Sequence, residues 1–342
     1  ARTDWALTFA DTTVAPLPQG EPRIDVSLAG DEIASVGRYV HVPEEWQRRQ
    51  RAASTRNLII QILVSVMFGG LLVGAAIAGM IAWSRGSYAP RIFLLAAALV
   101  LLFSVVDFAN NWPSLLADVS TAVPLQVQLI GIVAVAGIGL TVLSAMVGLA
   151  SGALPPRLLP LGRVPDGDAV RLALAAGFFG AAITAAAAFL RTPAWARFPS
   201  VDALGTVSPM LSVAFGPLAG LLMSTAIVLT ALLAIDRMTA SWTQRRVTGA
   251  IALGAIGFLA GGVPTGAHAG GWLLGGAIMA AGLVALYVTL LRFDPTLVTL
   301  ALGAMAAVRA LSTGAQRPFP GALAASVAAA VLVLLLSWWW FG

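Results

Sequence analysis

The side chains that could do acid–base or nucleophilic chemistry are few and scattered. Asp107, with Asn110 and Asn111 just beyond it, lies near the end of an apolar run. An ionisable group at the centre of a bilayer costs about 2.5–3.5 kcal/mol on insertion scales, so such a residue is a functional candidate by default. The trio reads in two ways, as a polar helix end at headgroup level or as a polar pocket that meets a partner. His268 sits in a glycine-rich stretch, Pro264 to Gly270. One histidine cannot make a zinc site, which takes three or four protein ligands. The chain has no cysteine, which excludes disulfides, thiol chemistry and Cys-x-x-Cys metal sites. Glu44, Glu45 and Arg49 have the Glu-Glu-x-x-x-Arg spacing of a protease motif. They stand, however, at the start of a solvated helix, where acids first and bases after suit the helix dipole. Arg309 falls inside an apolar span and can snorkel to an interface; an ion pair with Asp294 or Asp107 is the alternative. Ser208, Ser212, Ser224 and Thr225 read as helix-packing hydroxyls. No Ser–His–Asp set, phosphate loop or dinucleotide fingerprint is visible, so no cofactor is expected.

The elements that must position these residues are membrane spans. Of the 342 residues, 59% are hydrophobic and only 10% charged, where soluble domains carry about 25% charged residues. This is an integral membrane protein. Its net charge of +5 comes from twenty arginines and no lysine. The arginines are scattered at span edges rather than gathered in one basic stripe, which argues against a nucleic-acid partner. Nine hydrophobic spans are predicted: Leu58–Trp83, Ile92–Trp112, Leu125–Leu154, Val170–Leu190, Val207–Ile235, Val247–Val263, Gly271–Leu291, Thr296–Leu311 and Ala322–Phe341. The sixth and eighth are short. Glycine and alanine are dense in spans four to eight, and small residues let helix backbones approach closely in lipid, so one compact bundle is expected.

Residues 1–45 are not membrane-like. Asp4–Phe9 reads as a short strand, and Arg23–Leu28 alternates polar and apolar as a half-buried strand does. Ala29-Gly30-Asp31-Glu32 is a turn signal, and Ile33–Val42 returns as a second strand. A hairpin alone is marginal in water, so this one is expected to complete a sheet whose other strands lie upstream or on a partner. The chain opens on Ala1 with no signal-peptide pattern, which reads as the later part of a longer or processed protein. The domain plan is therefore a β-rich segment over 1–45, a basic juxtamembrane helix over 46–57, three spans over 58–154 and a six-helix bundle over 155–342. With residues 1–56 outside the cytoplasm, nine loop arginines, from Arg85 to Arg292, fall on the cytoplasmic side. Arg191, Arg197 and Arg317 fall opposite, and Arg48, Arg49, Arg51 and Arg56 add four there, which makes the asymmetry nine against seven. The expected location is the bacterial inner membrane with the hairpin extracytoplasmic.

One stretch suggests a relationship. Phe215-Gly216-Pro217-Leu218-Ala219-Gly220-Leu221-Leu222 lies in the middle of the fifth span, and Gly257-Phe258-Leu259-Ala260-Gly261-Gly262 and Asp294-Pro295-Thr296-Leu297-Val298 follow it. Upstream stand Val42-Pro43-Glu44-Glu45-Trp46 and Asn110-Asn111-Trp112-Pro113. In order and short matches the chain resembles the bacterial CPBP family, the CAAX-protease and bacteriocin-processing intramembrane proteases. It resembles in particular the long members with a β-rich extracytoplasmic domain. The resemblance implies a membrane bundle whose active site is a Glu-Glu-x-x-x-Arg helix with two histidines and a later Asn or Asp. Placed by Pro217, the glutamates fall on Leu221 and Leu222 and the arginine on Ala226. Ala260 and Leu300 stand for the histidines and Ala304 for the Asn or Asp. Hydrolysis needs a positioned titratable group, and none of these positions has one. The expectation is an all-α polytopic membrane protein, catalytically inactive, acting as a structural or accessory subunit among other membrane proteins. The alternatives are a peptidase with a diverged site, using Asp107 and His268, and a transporter or lipid-binding protein.

Overall fold

The structure is a computed structural model, and it describes residues 4–13, 17, 20, 21–120, 122–158, 166–191, 202–261, 269–317 and 319–341. Three strands come first: β1 (Asp4–Ala10), β2 (Glu21–Ala29) and β3 (Glu32–His41). They form one antiparallel sheet in the order β1-β2-β3. The expected hairpin is β2–β3, turning at Gly30, whose φ of 72° suits a residue without a Cβ. The strand at Asp4–Phe9 joins it on the other edge of β2, so the third strand comes from within this chain.

The helices follow as α1 (Glu44–Ser84), α2 (Pro90–Asn110), α3 (Trp112–Ala117), α4 (Leu125–Gly152), α5 (Gly167–Arg191), α6 (Pro209–Met238), α7 (Arg246–Ala260), α8 (Ala269–Leu286), α9 (Leu297–Gln316) and α10 (Ala322–Phe341). Among the described residues, eight helical segments are long and apolar enough to cross a membrane, and α7, at 15 residues, is a shorter apolar helix. In lipid every backbone group must be satisfied within the chain, which makes apolar runs helical. Proline at the start of α2 and of α6 costs nothing there, because the first N–H groups have no partner inside a helix.

Three boundaries differ from the sequence reading. The basic juxtamembrane segment and the first span are one unbroken helix of 41 residues, because no proline or glycine separates Trp46 from Leu58. The second span stops at Asn110, and Asn111 turns the chain into the short α3. The eighth span is not short: α9 continues through Ser312, Thr313 and Gly314 to reach 20 residues.

The core sits on α6 and α9, the two most buried spans. α6 packs against α1, α2, α4, α9 and α10, and α9 lies between α5 and α10. Successive spans alternate in direction. Asn110 at the end of α2 meets Ser208 at the start of α6, and Met210 of α6 lies beside Gly321 before α10. Close approach is set by small residues. A Cβ at Gly177 of α5 would sit 2.6 Å from the carbonyl oxygen of Ala301 on α9.

Candidate functional site

The positions aligned with the protease motif lie mostly in dry core. Leu221, Leu222 and Ala226 of α6 are buried, as are Leu300 and Ala304 of α9. Leu222, Ala226 and Leu300 share one apolar cluster. Leu221 adjoins it with Leu218 and Val333. Ala304 instead turns to α5, where its Cβ lies against Gly177. Ala260 is apart from the rest, exposed at the end of α7, a helix that packs on α8. Among the described residues no group of three His, Asp or Glu side chains could hold a metal ion. His268 lies outside the described residues.

Asn110 is 5% exposed, and both ends of its side-chain amide are bonded. Its side-chain nitrogen donates to the Ser208 carbonyl at 3.1 Å, and the Ser208 N–H donates back to its side-chain oxygen at 2.8 Å. The Val207 N–H donates to the Asn110 carbonyl at 2.8 Å. Beside it, the Ser114 hydroxyl donates to the Gly205 carbonyl at 2.6 Å. An amide has both a donor and an acceptor, so Asn110 pairs with Ser208 as one strand pairs with another. Asn111 caps its own helix, donating to the Asp107 carbonyl at 2.8 Å. The polar trio is thus a clamp between α2 and α6 together with a helix end. Ser208 belongs to that clamp rather than to helix packing. Arg309 is exposed and forms no ion pair among the described residues. The Asp294 carboxylate is occupied by the Thr296 N–H at 3.0 Å and hydroxyl at 2.5 Å. Ser224 donates to the Gly220 carbonyl of its own helix at 2.7 Å. Tyr88, between α1 and α2, stacks on Trp83 at 5.2 Å. Burial pushes its phenol up to about 12, so it stays neutral and offers no base.

Sequence reasoning missed the turn between α6 and α7. Ala240, Ser241 and Trp242 follow one another with φ of 46°, 56° and 64°. Left-handed backbone costs a residue with a Cβ about 1–2 kcal/mol. The turn is held by the buried Trp242, which packs edge-on to the fully buried Tyr287 at 5.3 Å. The Trp242 N–H donates to the Thr239 hydroxyl at 3.1 Å, and Arg246 Nε donates to the Trp242 carbonyl at 2.6 Å. Tyr287 opens a π-helical turn, Tyr287–Leu291, at the end of α8. This knot ties three helix ends together. No glycine marks it, and that absence hid it.

The surface with an unanswered demand is the sheet. Residues directly opposed in an antiparallel pair share a face. Trp5 pairs with Leu28, Leu7 with Val26 and Phe9 with Ile24. Val26 pairs with Val36, Leu28 with Ile33 and Pro22 with Val40. One face is therefore apolar from edge to edge. Arg38, opposite Ile24, is its one charged residue, and it leans to the Asp11 carboxylate at 3.5 Å. The other face is polar, with Thr8 donating to Asp25 at 2.6 Å across the strands. Antiparallel sheets with one apolar face pack that face against a second layer. Here Trp5 is 59%, Phe9 52%, Ile33 67% and Val36 62% exposed.

The sheet leads straight into α1. The fourteen residues of α1 before Leu58 rise about 21 Å at ~1.5 Å each, more than the ~5–8 Å of headgroup on either side of the hydrocarbon. They carry Glu44, Glu45, Arg48, Arg49, Arg51 and Arg56, with Arg48 donating to Glu44 at 2.8 Å. The apolar face measures roughly 14 by 23 Å at usual strand spacings, about the size of functional patches on protein surfaces.

Comparison of the chain with family models, with curated proteins and with solved structures returns no match.

Proposed function

We propose that this protein is a structural or accessory subunit of a membrane protein complex, which holds a partner through the apolar face of its N-terminal sheet. The uncovered face on a rigid helical stalk is the observation that carries this reading. The stalk lifts the face past the headgroups, so its occupant is protein and not lipid. The occupant is an extracytoplasmic layer of a different membrane subunit, with apolar side chains facing Phe9, Val26 and Val36. A second copy of the chain suits the face less. Two stalks, each carrying Arg48, Arg49, Arg51 and Arg56, would then stand side by side.

The chain resembles the CPBP intramembrane proteases in the order of its elements, and we place it among them as an inactive relative in the bacterial inner membrane. Leucine and alanine at the aligned positions support the loss of hydrolysis. A carboxylate in an apolar core is tolerated only where function requires it, and an apolar side chain removes its desolvation cost.

Site-specific photo-crosslinking in the native membrane tests the reading. A crosslinker at Val36, on the apolar face, is expected to give one discrete adduct with a protein that also co-purifies stoichiometrically in mild detergent. A crosslinker at Ser35, on the polar face, is expected to give none. Adducts to lipid at Val36, adducts only to a second copy, or no adduct at either position would refute it.

A further inference from the structure

A groove of about 270 Å³ runs between α1, α4 and α6. Gly70, Gly74 and Ala78 form one wall, Ala150 and Ala234 face them, and Arg237 stands at one end. We infer that this groove holds one acyl chain of an anionic phospholipid, with the lipid phosphate on Arg237. The inference is independent of the proposed partner.

Three observations converge on a chain-shaped, negatively headed occupant. First, the glycines are not explained by packing within the protein. A Cβ at Gly70 or Gly74 would meet no atom within 4 Å, whereas a Cβ at Gly79, farther along α1, would collide with the Leu149 carbonyl of α4. Gly79 therefore serves a helix contact, and Gly70 and Gly74 hollow out the surface instead. Second, the volume suits the headgroup-proximal half of a lipid chain. At roughly 30 Å³ for each water-sized unit, which is close to one methylene, the groove takes about nine carbons. A helix, about 10–12 Å across with its side chains, does not enter it. Apart from Thr230 and Arg237 the lining is apolar, and it lies along apolar spans, where lipid chains are the solvent.

Third, the charge is placed for a headgroup. Arg237 is in the last turn of α6, exposed, and forms no ion pair among the described residues. Helix ends on the same side also carry Arg85, Arg91 and Arg245. Basic clusters between transmembrane helices at one membrane face recognise anionic headgroups, and a guanidinium presents paired donors to a phosphate. A zwitterionic lipid fills the same groove but brings its own cation towards Arg237, so the anionic lipid is preferred.

Native mass spectrometry of the full chain, released from membranes and titrated with phosphatidylglycerol or phosphatidylcholine, tests this. The wild type is expected to retain one phosphatidylglycerol selectively. Arg237→Gln is expected to weaken phosphatidylglycerol about fivefold, the effect of one basic residue near a headgroup, and to leave phosphatidylcholine unchanged. Gly74→Leu, which projects into open space and so leaves the fold intact, is expected to weaken both lipids. Unchanged selectivity in Arg237→Gln would overturn the headgroup assignment. Unchanged lipid retention in Gly74→Leu, or a loss of self-association in its place, would overturn the groove as a lipid site.

Discussion

The Asn110 clamp gives the sharpest test of how this bundle is held. Replacing Asn110 with alanine removes both side-chain bonds to Ser208, at 3.1 and 2.8 Å. The backbone bond from Val207 to the Asn110 carbonyl survives. The Ser208 carbonyl keeps the N–H groups of Leu211 and Ser212 at 3.1 and 3.3 Å, so only the half-buried Ser208 N–H is orphaned. Each buried donor or acceptor left without a partner costs about 1–3 kcal/mol. Asn110→Ala is therefore expected to cost about 1–3 kcal/mol, and mainly to release the start of α6 from the end of α2. Asn111→Ala is the matched control. It removes one bond within a single helix, from a half-buried side chain, and is expected to cost about 0.5–1.5 kcal/mol. Both are read by SDS titration of the purified protein in mild detergent, followed by tryptophan fluorescence. If Asn110→Ala costs no more than Asn111→Ala, the clamp is not what joins these two helices.

Two further outcomes follow from the turns. Hydrogen bonds from Thr13, and then the charge of Arg38, hold the Asp11 carboxyl below its ordinary value. Its contribution to the sheet is present above the usual carboxylate range and is lost as pH falls through the lowered value. The acid titration of Trp5 fluorescence is expected to shift to higher pH in Asp11→Asn; an unshifted curve would refute that. Ser241, exposed at a φ of 56°, is strained by its Cβ, so Ser241→Gly is expected to stabilise the α6–α7 turn by up to about 1 kcal/mol. A destabilised Ser241→Gly in the same SDS titration would show that the Cβ is not what strains the turn.

The apolar runs and the alternation of Arg23–Leu28 were legible because hydropathy and period are local properties. They determined a polytopic helical membrane protein with strands at its start, and they placed most span ends within a few residues. The polar trio was legible as a site of interest, since Asp107, Asn110 and Asn111 stand out in an apolar chain. Its pairing with Ser208 was not, because Ser208 lies 98 residues from Asn110. Tertiary structure alone decided that Asn110 is a clamp and that β1 completes the hairpin into a sheet. It also decided that α9 is a full span: buried between α5 and α10, α9 faces protein rather than lipid, so Ser312, Thr313 and Gly314 do not end it. The left-handed turn at Ala240–Trp242 had no glycine to announce it and exists because Trp242 is anchored on Tyr287. The lipid-sized groove is likewise invisible in the chain, since Gly70, Gly74 and Gly79 look alike until the neighbouring helices show which of them is covered.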